Sequence, residues 1–241
     1  MISEEHMIYN RYHIGIIILT VLSLSCNDQS HFYYPNEVGF VTGRGTTPRF
    51  ESVMDSTIAG VPMVVGSEWV YADSFSLNLS YWYHDTIRIR LAAVTQNSVN
   101  DFICTYQEFS GDKTDTFYLY LQGNTLNSIG DDQLVRGGIW GNGCFYSFPL
   151  TVGRFWINPI HSTIDSSVVV RKEKITVKGG TFYTYLIRIH SNATMETSDR
   201  WYVPDIGIVR ISGSSKGFAD IRFDLEYRTE LLSYHIGPRR R

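Results

Sequence analysis

The stretch SSVVVRKEKITVKGGTFYTYLIRIHSN, residues 166–192, decides the fold. It reads as two strands rich in Val, Ile, Thr and Tyr, joined by Lys178-Gly179-Gly180, a tight hairpin signal. Three further stretches carry the same texture. DTIRIRLAAV (85–94) alternates Ile87, Ile89 and Leu91 against Arg88 and Arg90. DTFYLYLQGN (115–124) alternates Phe117, Leu119 and Leu121 against Tyr118 and Tyr120. FADIRFDLEYRTELLSYHI (218–236) alternates Ile221, Phe223, Leu225 and Tyr227 against charges. Side chains of a strand point to opposite faces in turn, so period 2 marks half-buried antiparallel strands. No window shows a long 3.6-residue period, which limits helix to one or two short pieces. The expected fold is all-β: an antiparallel curved sheet, a half-barrel or a sandwich, with few short helices, over residues 61–237. A segment of about 180 residues is long enough for one sizeable core.

The pattern repeats. Gly66-Ser67-Glu68-Trp69 recurs as Gly153-Arg154-Phe155-Trp156. DFICTYQEF aligns with GGTFYTYLIRI at Phe102 and Phe182, and Phe117-Tyr118 aligns with Trp201-Tyr202, Gly123 with Gly207. Offsets that change only by a loop's length describe two similar β units fused into one sheet. Trp69, Trp156 and Trp201 are expected in the core, and Gly207 in a turn after Pro204.

Ahead of the β region, Ile14–Leu24 is apolar, too short to span a bilayer, preceded by Arg11 and His13, and followed by Ser25 and Cys26. This is the layout of a secretory signal peptide over residues 1–25, with Met7 as a plausible start. Ser23-Leu24-Ser25-Cys26 resembles the lipobox of bacterial lipoproteins, with Ser in place of the usual Leu three residues before the cysteine. The resemblance implies diacylation at Cys26; an ordinary signal peptide with a free thiol there is the alternative. Residues 26–60 hold Pro35, Gly39, Gly43, Gly45 and Pro48 with weak periodicity and read as a flexible tether. No second apolar run is long enough to span a membrane. The expected address is the cell envelope, anchored to the outer membrane through the N-terminal lipid.

FPLTVGRFW (148–156), ITVKGGTFYTYLIRI (175–189), DRWYVPDIGIVRI (199–211) and ELLSY (230–234) together resemble a family of bacterial secreted lipoproteins sharing a "PL-x-VG-x-x-W … GTF … WYAPGVGLV … ELVSY" pattern. The resemblance spans roughly 66–236. Asp205-Ile206 stands where that family shows Gly-Val, which puts a tight glycine turn there in question. The family's members are extracytoplasmic β domains with no assigned chemistry. A more distant fold-level similarity is to the half-barrel of the Lol lipoprotein carriers, which implies a hydrophobic ligand.

The residues that carry chemistry form no recognisable set, and no cofactor is expected. Gly213-Ser214-Ser215-Lys216-Gly217 fits G-x-S-x-G, but the text after it reads as a strand rather than the helix a nucleophile elbow needs, so a Ser/Gly hairpin loop is expected. His31, His84, His161, His190 and His235 show no i, i+4 pair and adjoin no C-x-x-C, so no metal site is expected. Asp131-Asp132 lacks a calcium-loop spacing, and the Gly-rich Gly137–Gly143 loop precedes no helix that would bind phosphate. Cys104 and Cys144 either form one disulfide, which an exported protein permits, or act as two small buried thiols. The chain carries 21 Lys and Arg against 24 Asp and Glu, a balance that leaves no basic face for nucleic acid. With 16 Tyr, 13 Phe and 5 Trp, the sheet has aromatic surface to spare; Trp82 and, in the glycine-rich loop, Trp140 are the candidate binding residues. The function expected from these features is a lipid-anchored, non-enzymatic binding or scaffold domain for a hydrophobic ligand, a glycan or an envelope protein. The alternative is an envelope hydrolase whose site is assembled only by the fold.

Overall fold

A computed structural model describes residues 57–58, 60–77, 81–98, 101–129, 144–160, 163–191, 196–218 and 221–237. The segment read as a signal peptide, Cys26, Asp131-Asp132 and Trp140 lie outside the described residues. The strands are β1 (Thr57–Ile58), β2 (Val61–Pro62), β3 (Glu68–Leu77), β4 (Tyr81–Ser98), β5 (Asp101–Ser110), β6 (Lys113–Gln122), β7 (Thr125–Ile129), β8 (Cys144–Ser147), β9 (Phe155–Ile160), β10 (Thr163–Val177), β11 (Gly180–Ser191), β12 (Glu196–Val203), β13 (Gly207–Phe218) and β14 (Ile221–His235). There is no helix among the described residues, fewer than the short pieces expected, because every periodic stretch is claimed by a ladder. The β1–β2 ribbon begins inside the segment read as tether.

The other twelve strands form one antiparallel sheet in the order β8-β7-β6-β5-β4-β3-β14-β13-β12-β11-β10-β9. Two six-strand meanders therefore run outward from a central β3–β14 seam, the first unit on one side and the second on the other. The sheet curls until its edges meet: Arg154 Nη2, just before β9, donates to Ser147 Oγ on β8 at 2.8 Å. It is a single nearly closed barrel-like sheet and not a two-layer sandwich.

The two units are similar in backbone detail. Gly66 and Gly153 both take positive φ, 88° and 85°, which glycine adopts without steric cost. Gly66 N–H donates to Leu91 O while Leu91 N–H donates to Ser67 O; Gly153 N–H donates to Val169 O while Val169 N–H donates to Arg154 O. At each of these sites the outer hairpin carries a β-bulge, between Leu91 and Ala93 on β4 and between Val169 and Arg171 on β10. The extra residue bends the strand, and both Leu91 and Val169 are fully buried at the bend. This repeated corner curls the sheet.

Past the second corner, the β10–β11 hairpin folds across the sheet. Gly179 N–H donates to Leu231 O, Arg210 Nη2 to Thr176 O, and Trp201 Nε1 to Glu173 Oε1 at 2.8 Å. Trp69 and Trp156 are buried in the core as expected. Trp201 packs against the core as a half-buried residue from the outer parity of β12, its ring 5.6 Å from Arg210 Cζ and its Nε1 held by the folded-over hairpin. Asp205 itself adopts φ 71°, so the turn after Pro204 forms with an aspartate in the left-handed region that glycine would occupy, and Gly207 follows at φ 100°.

One end of the barrel is closed by apolar and aromatic packing. Val61, Met63, Trp69, Phe148 and Leu150 are buried there, Trp69 Nε1 donates to Ile206 O at 2.7 Å, and Tyr202 Oη donates to Gly60 O at 2.9 Å. The chain thus seals that end with its own entry segment.

The Cys104–Cys144 disulfide is not formed. Cys104 is a buried free thiol on β5, and Cys144 lies on β8, three ladders away. Three ladder spacings amount to about 14 Å along the sheet, twice the Cα separation a disulfide tolerates. Burial pushes the Cys104 thiol up to about 12, which keeps it protonated.

Candidate binding surface

Towards the opposite end, the inward-facing positions become polar. On β12 the inward residues are Glu196, Ser198, Arg200 and Tyr202, all buried. Tyr227 on β14 donates its hydroxyl to Glu196 Oε1. Burial opposes the charge on Arg200, but the neighbouring Tyr146, Tyr227 and Glu196 more than offset it, and its pKa is raised. Arg200 thereby links β12 to Tyr146 on the edge strand β8, across the interior of the barrel. On β3, Asp73 is buried, accepts from Thr229 Oγ1 at 2.6 Å, and has its carboxyl pushed up by burial despite that bond.

Glu108 is a second buried carboxyl with a raised pKa. Burial, reinforced by Asp115, Asp73 and Asp85, pushes it up to about 7 from 4.5. The protonated form therefore suits the fold and the ionised form opposes it. Stability from this group is full below about pH 4.5 and is lost as pH rises through 7. Glu108→Gln is expected to leave denaturant stability at pH 4 unchanged and to raise it at pH 8 by roughly 2–3 kcal/mol. An equal effect at both pH values would refute this assignment. These groups form no metal site: among the described residues no three His, Cys, Asp or Glu side chains converge to hold an ion.

The outer face carries a different arrangement. The register aligns His190, Thr197, Ser214, Glu226, Ser76 and Trp82 in one row across β11, β12, β13, β14, β3 and β4. Arg188, Asp199, Ser212, Arg228, Ser74 and His84 form the next row. Between longer side chains on either side, the small residues of β13 leave a depression of about 270 Å³, lined by Thr197, Asp199, Ser212, Gly213, Ser214, Glu226, Tyr227 and Arg228. Arg188 clamps Asp199 through two bonds, Nε to Oδ1 at 2.7 Å and Nη2 to Oδ2 at 2.8 Å. Arg228 Cζ lies 5.0 Å over the Trp82 ring, which remains 38% exposed.

This places the sequence candidates. Trp82 is outward on the polar platform, while its neighbour Tyr83 turns inward and stacks on Phe75 at 4.9 Å. Gly213–Gly217 is not a hairpin loop: it runs within β13, with Gly213 paired to Ser198 and Tyr227. A Cβ at Gly213 would lie 2.4 Å from the Tyr227 ring, so the glycine is needed for inward packing and not for a turn. The motif makes no nucleophile elbow, because it lies within strand β13 and the next element is strand β14 rather than a helix. The inward Glu108 and Arg200 went unread, although both occupy the buried parity of their strands.

No protein-family model matches the sequence, and no curated protein matches it. Among solved structures, the chain is similar to a candidate lipoprotein from Parabacteroides distasonis ATCC 8503, with TM-score 0.43 and 15% identity over 73% of this chain and 98% of that one. It is also similar to a candidate exported protein with a YmcC-like fold from Bacteroides fragilis NCTC 9343, with TM-score 0.41 and 12% identity over 71% of this chain and 96% of that one.

Proposed function

We propose that the protein is a lipid-anchored lipoprotein of the bacterial envelope, held at the outer membrane by acylated Cys26, whose β domain is a non-enzymatic binding module. The apolar run Ile14–Leu24 ending at Ser25-Cys26 supports the address, and the segment to residue 56 supplies the stand-off. The pattern at 148–234 places the chain, in this reading, with the secreted lipoproteins it resembles. The observation that carries the binding role is the outer polar depression, whose Arg228 reaches over the exposed Trp82 ring two strands away. Leu91, Phe102, Leu121, Val169, Val209 and Leu231 pack together as buried core side chains on the concave side, which favours recognition by the surface over enclosure of a lipid chain there.

The anchor is tested on the full chain expressed in a bacterial host. The wild type is expected to enter the detergent phase on Triton X-114 partition and to yield an N-terminal peptide that begins at Cys26 and carries two acyl chains. Cys26→Ala is expected in the aqueous phase or as uncleaved precursor. An aqueous wild type cleaved at another residue sinks the lipoprotein reading.

A further inference from the structure

We infer that the outer depression across β12, β13 and β14, together with Trp82 on β4, is a binding site for a neutral oligosaccharide; this rests on the binding-module reading above.

The chemistry of the lining selects the ligand class. A sugar ring presents an apolar C–H face and a rim of hydroxyls, each both donor and acceptor. Trp82 offers an exposed apolar ring on a strand, and strands hold side chains more firmly than loops do. The depression offers the rest: hydroxyls from Thr197, Ser212 and Ser214, carboxylates from Asp199 and Glu226, and the Arg228 guanidinium. A few convergent polar groups beside an aromatic surface are what orients a small ligand. Asp199 is pre-set by its two bonds to Arg188, so its carboxylate meets a ligand without losing side-chain freedom at that moment.

Two features bind the depression and the tryptophan into one site. Arg228 lines the depression and also covers the Trp82 ring. Ser76, cross-strand neighbour of both Glu226 and Trp82, is fully buried, and its hydroxyl makes no hydrogen bond among the described residues. As cross-strand neighbour of both, Ser76 puts Glu226 and Trp82 in one row of the same face of the sheet. From Glu226 to Trp82 is two ladder spacings, about 10 Å, which calls for more than one sugar ring.

Charge narrows the class further. Asp199 is matched by Arg188, and Glu226 stands with Arg228 in the lining, so the depression carries balanced charge and offers no excess of either sign to hold a charged polymer. A neutral glycan meets acceptors and donors alone.

The test uses the full lipidated chain in detergent, titrated with maltoheptaose, cellohexaose, xylohexaose and mannohexaose, and read by intrinsic tryptophan fluorescence and calorimetry. At least one of these is expected to bind and to change the emission. Trp82→Ala is expected to weaken that binding tenfold or more, and Ser214→Tyr, which fills the depression from an exposed position, to do the same. Both variants are expected to keep the wild-type melting temperature. Failure of all four saccharides to bind overturns the proposal, as does binding that both substitutions leave intact. The anchor is read separately by detergent partition, so a chain that partitions as a lipoprotein but binds no saccharide refutes this site alone.

Discussion

Arg200→Met is expected to lower the melting temperature of the β domain by about 10 °C. Met has similar length but no charge, so packing volume is roughly kept and the electrostatic loss is isolated. In the wild type, Glu196 and Arg200 are each only 8% exposed, and Tyr227 donates to Glu196 between them. Removing the guanidinium leaves a buried carboxylate with a hydroxyl for company but no cation. Breaking one side of a buried charged pair costs roughly 3–5 kcal/mol, and a domain of this size loses about 2–4 °C per kcal/mol. The substitution also frees Tyr146 on β8 from its charged neighbour on β12, so the edge of the barrel loosens as the core is destabilised. The double variant Arg200→Met/Glu196→Gln is expected to recover a large part of the loss, because it removes the stranded anion. If single and double variants melt alike, the buried charge is not what the network holds in balance.

Leu91→Ala is expected to shift the urea midpoint by the equivalent of roughly 3–4 kcal/mol, without changing the slope. Leu91 is fully buried at the first corner of the sheet. Truncation loses the transfer energy of its methyl groups and adds a cavity term, because neighbours collapse only in part. The corner's two backbone bonds, Gly66 N–H to Leu91 O and Leu91 N–H to Ser67 O, involve no side-chain atom and are kept. Val169→Ala at the equivalent corner is expected to cost roughly 2 kcal/mol, since fewer carbons are removed. An unchanged slope means that both variants unfold the same surface as the wild type. A midpoint that does not move for either variant would show that these corners do not hold the curled sheet.

The strand pattern was legible because it depends only on neighbours in sequence. Ile87, Ile89 and Leu91 alternate with arginines, and they do face inward on β4. The paired glycines at 66 and 153 announced two units, and the backbone bonds to Leu91 and Val169 repeat as the alignment implied. The stretch Gly213–Gly217 was misread because glycine and serine clusters resemble loops from sequence. Its place inside β13 follows from ladders to two distant strands and from the Tyr227 ring that occupies the space over Gly213. Trp201 packs against the core, as a tryptophan in an apolar strand is expected to, but only as a half-buried residue. Only the folded-over hairpin, bringing Glu173 to its Nε1, explains why it lies on the outer face.

The candidate site divides in the same way. Trp82 could be separated from Tyr83 by parity alone, and the structure has them on opposite faces. That Thr197, Ser214, Glu226 and Ser76 lie in one row with Trp82 could not be read, since it requires the register of four successive ladders.

By itself the sequence determined the all-β class, the alternation that marks the strand-forming stretches, the two-unit plan and the apolar run that stops before Ser25-Cys26. These rest on local periodicity, backbone freedom at glycine and hydrophobic length, which act over a few residues. The tertiary structure alone decided the strand order about the β3–β14 seam, the separation of Cys104 from Cys144, the buried Glu196–Arg200 network and the groove beside Trp82. Each of those joins residues remote in the chain, and their meeting is fixed by which edges pair and how far the sheet curls before its own side chains fill it.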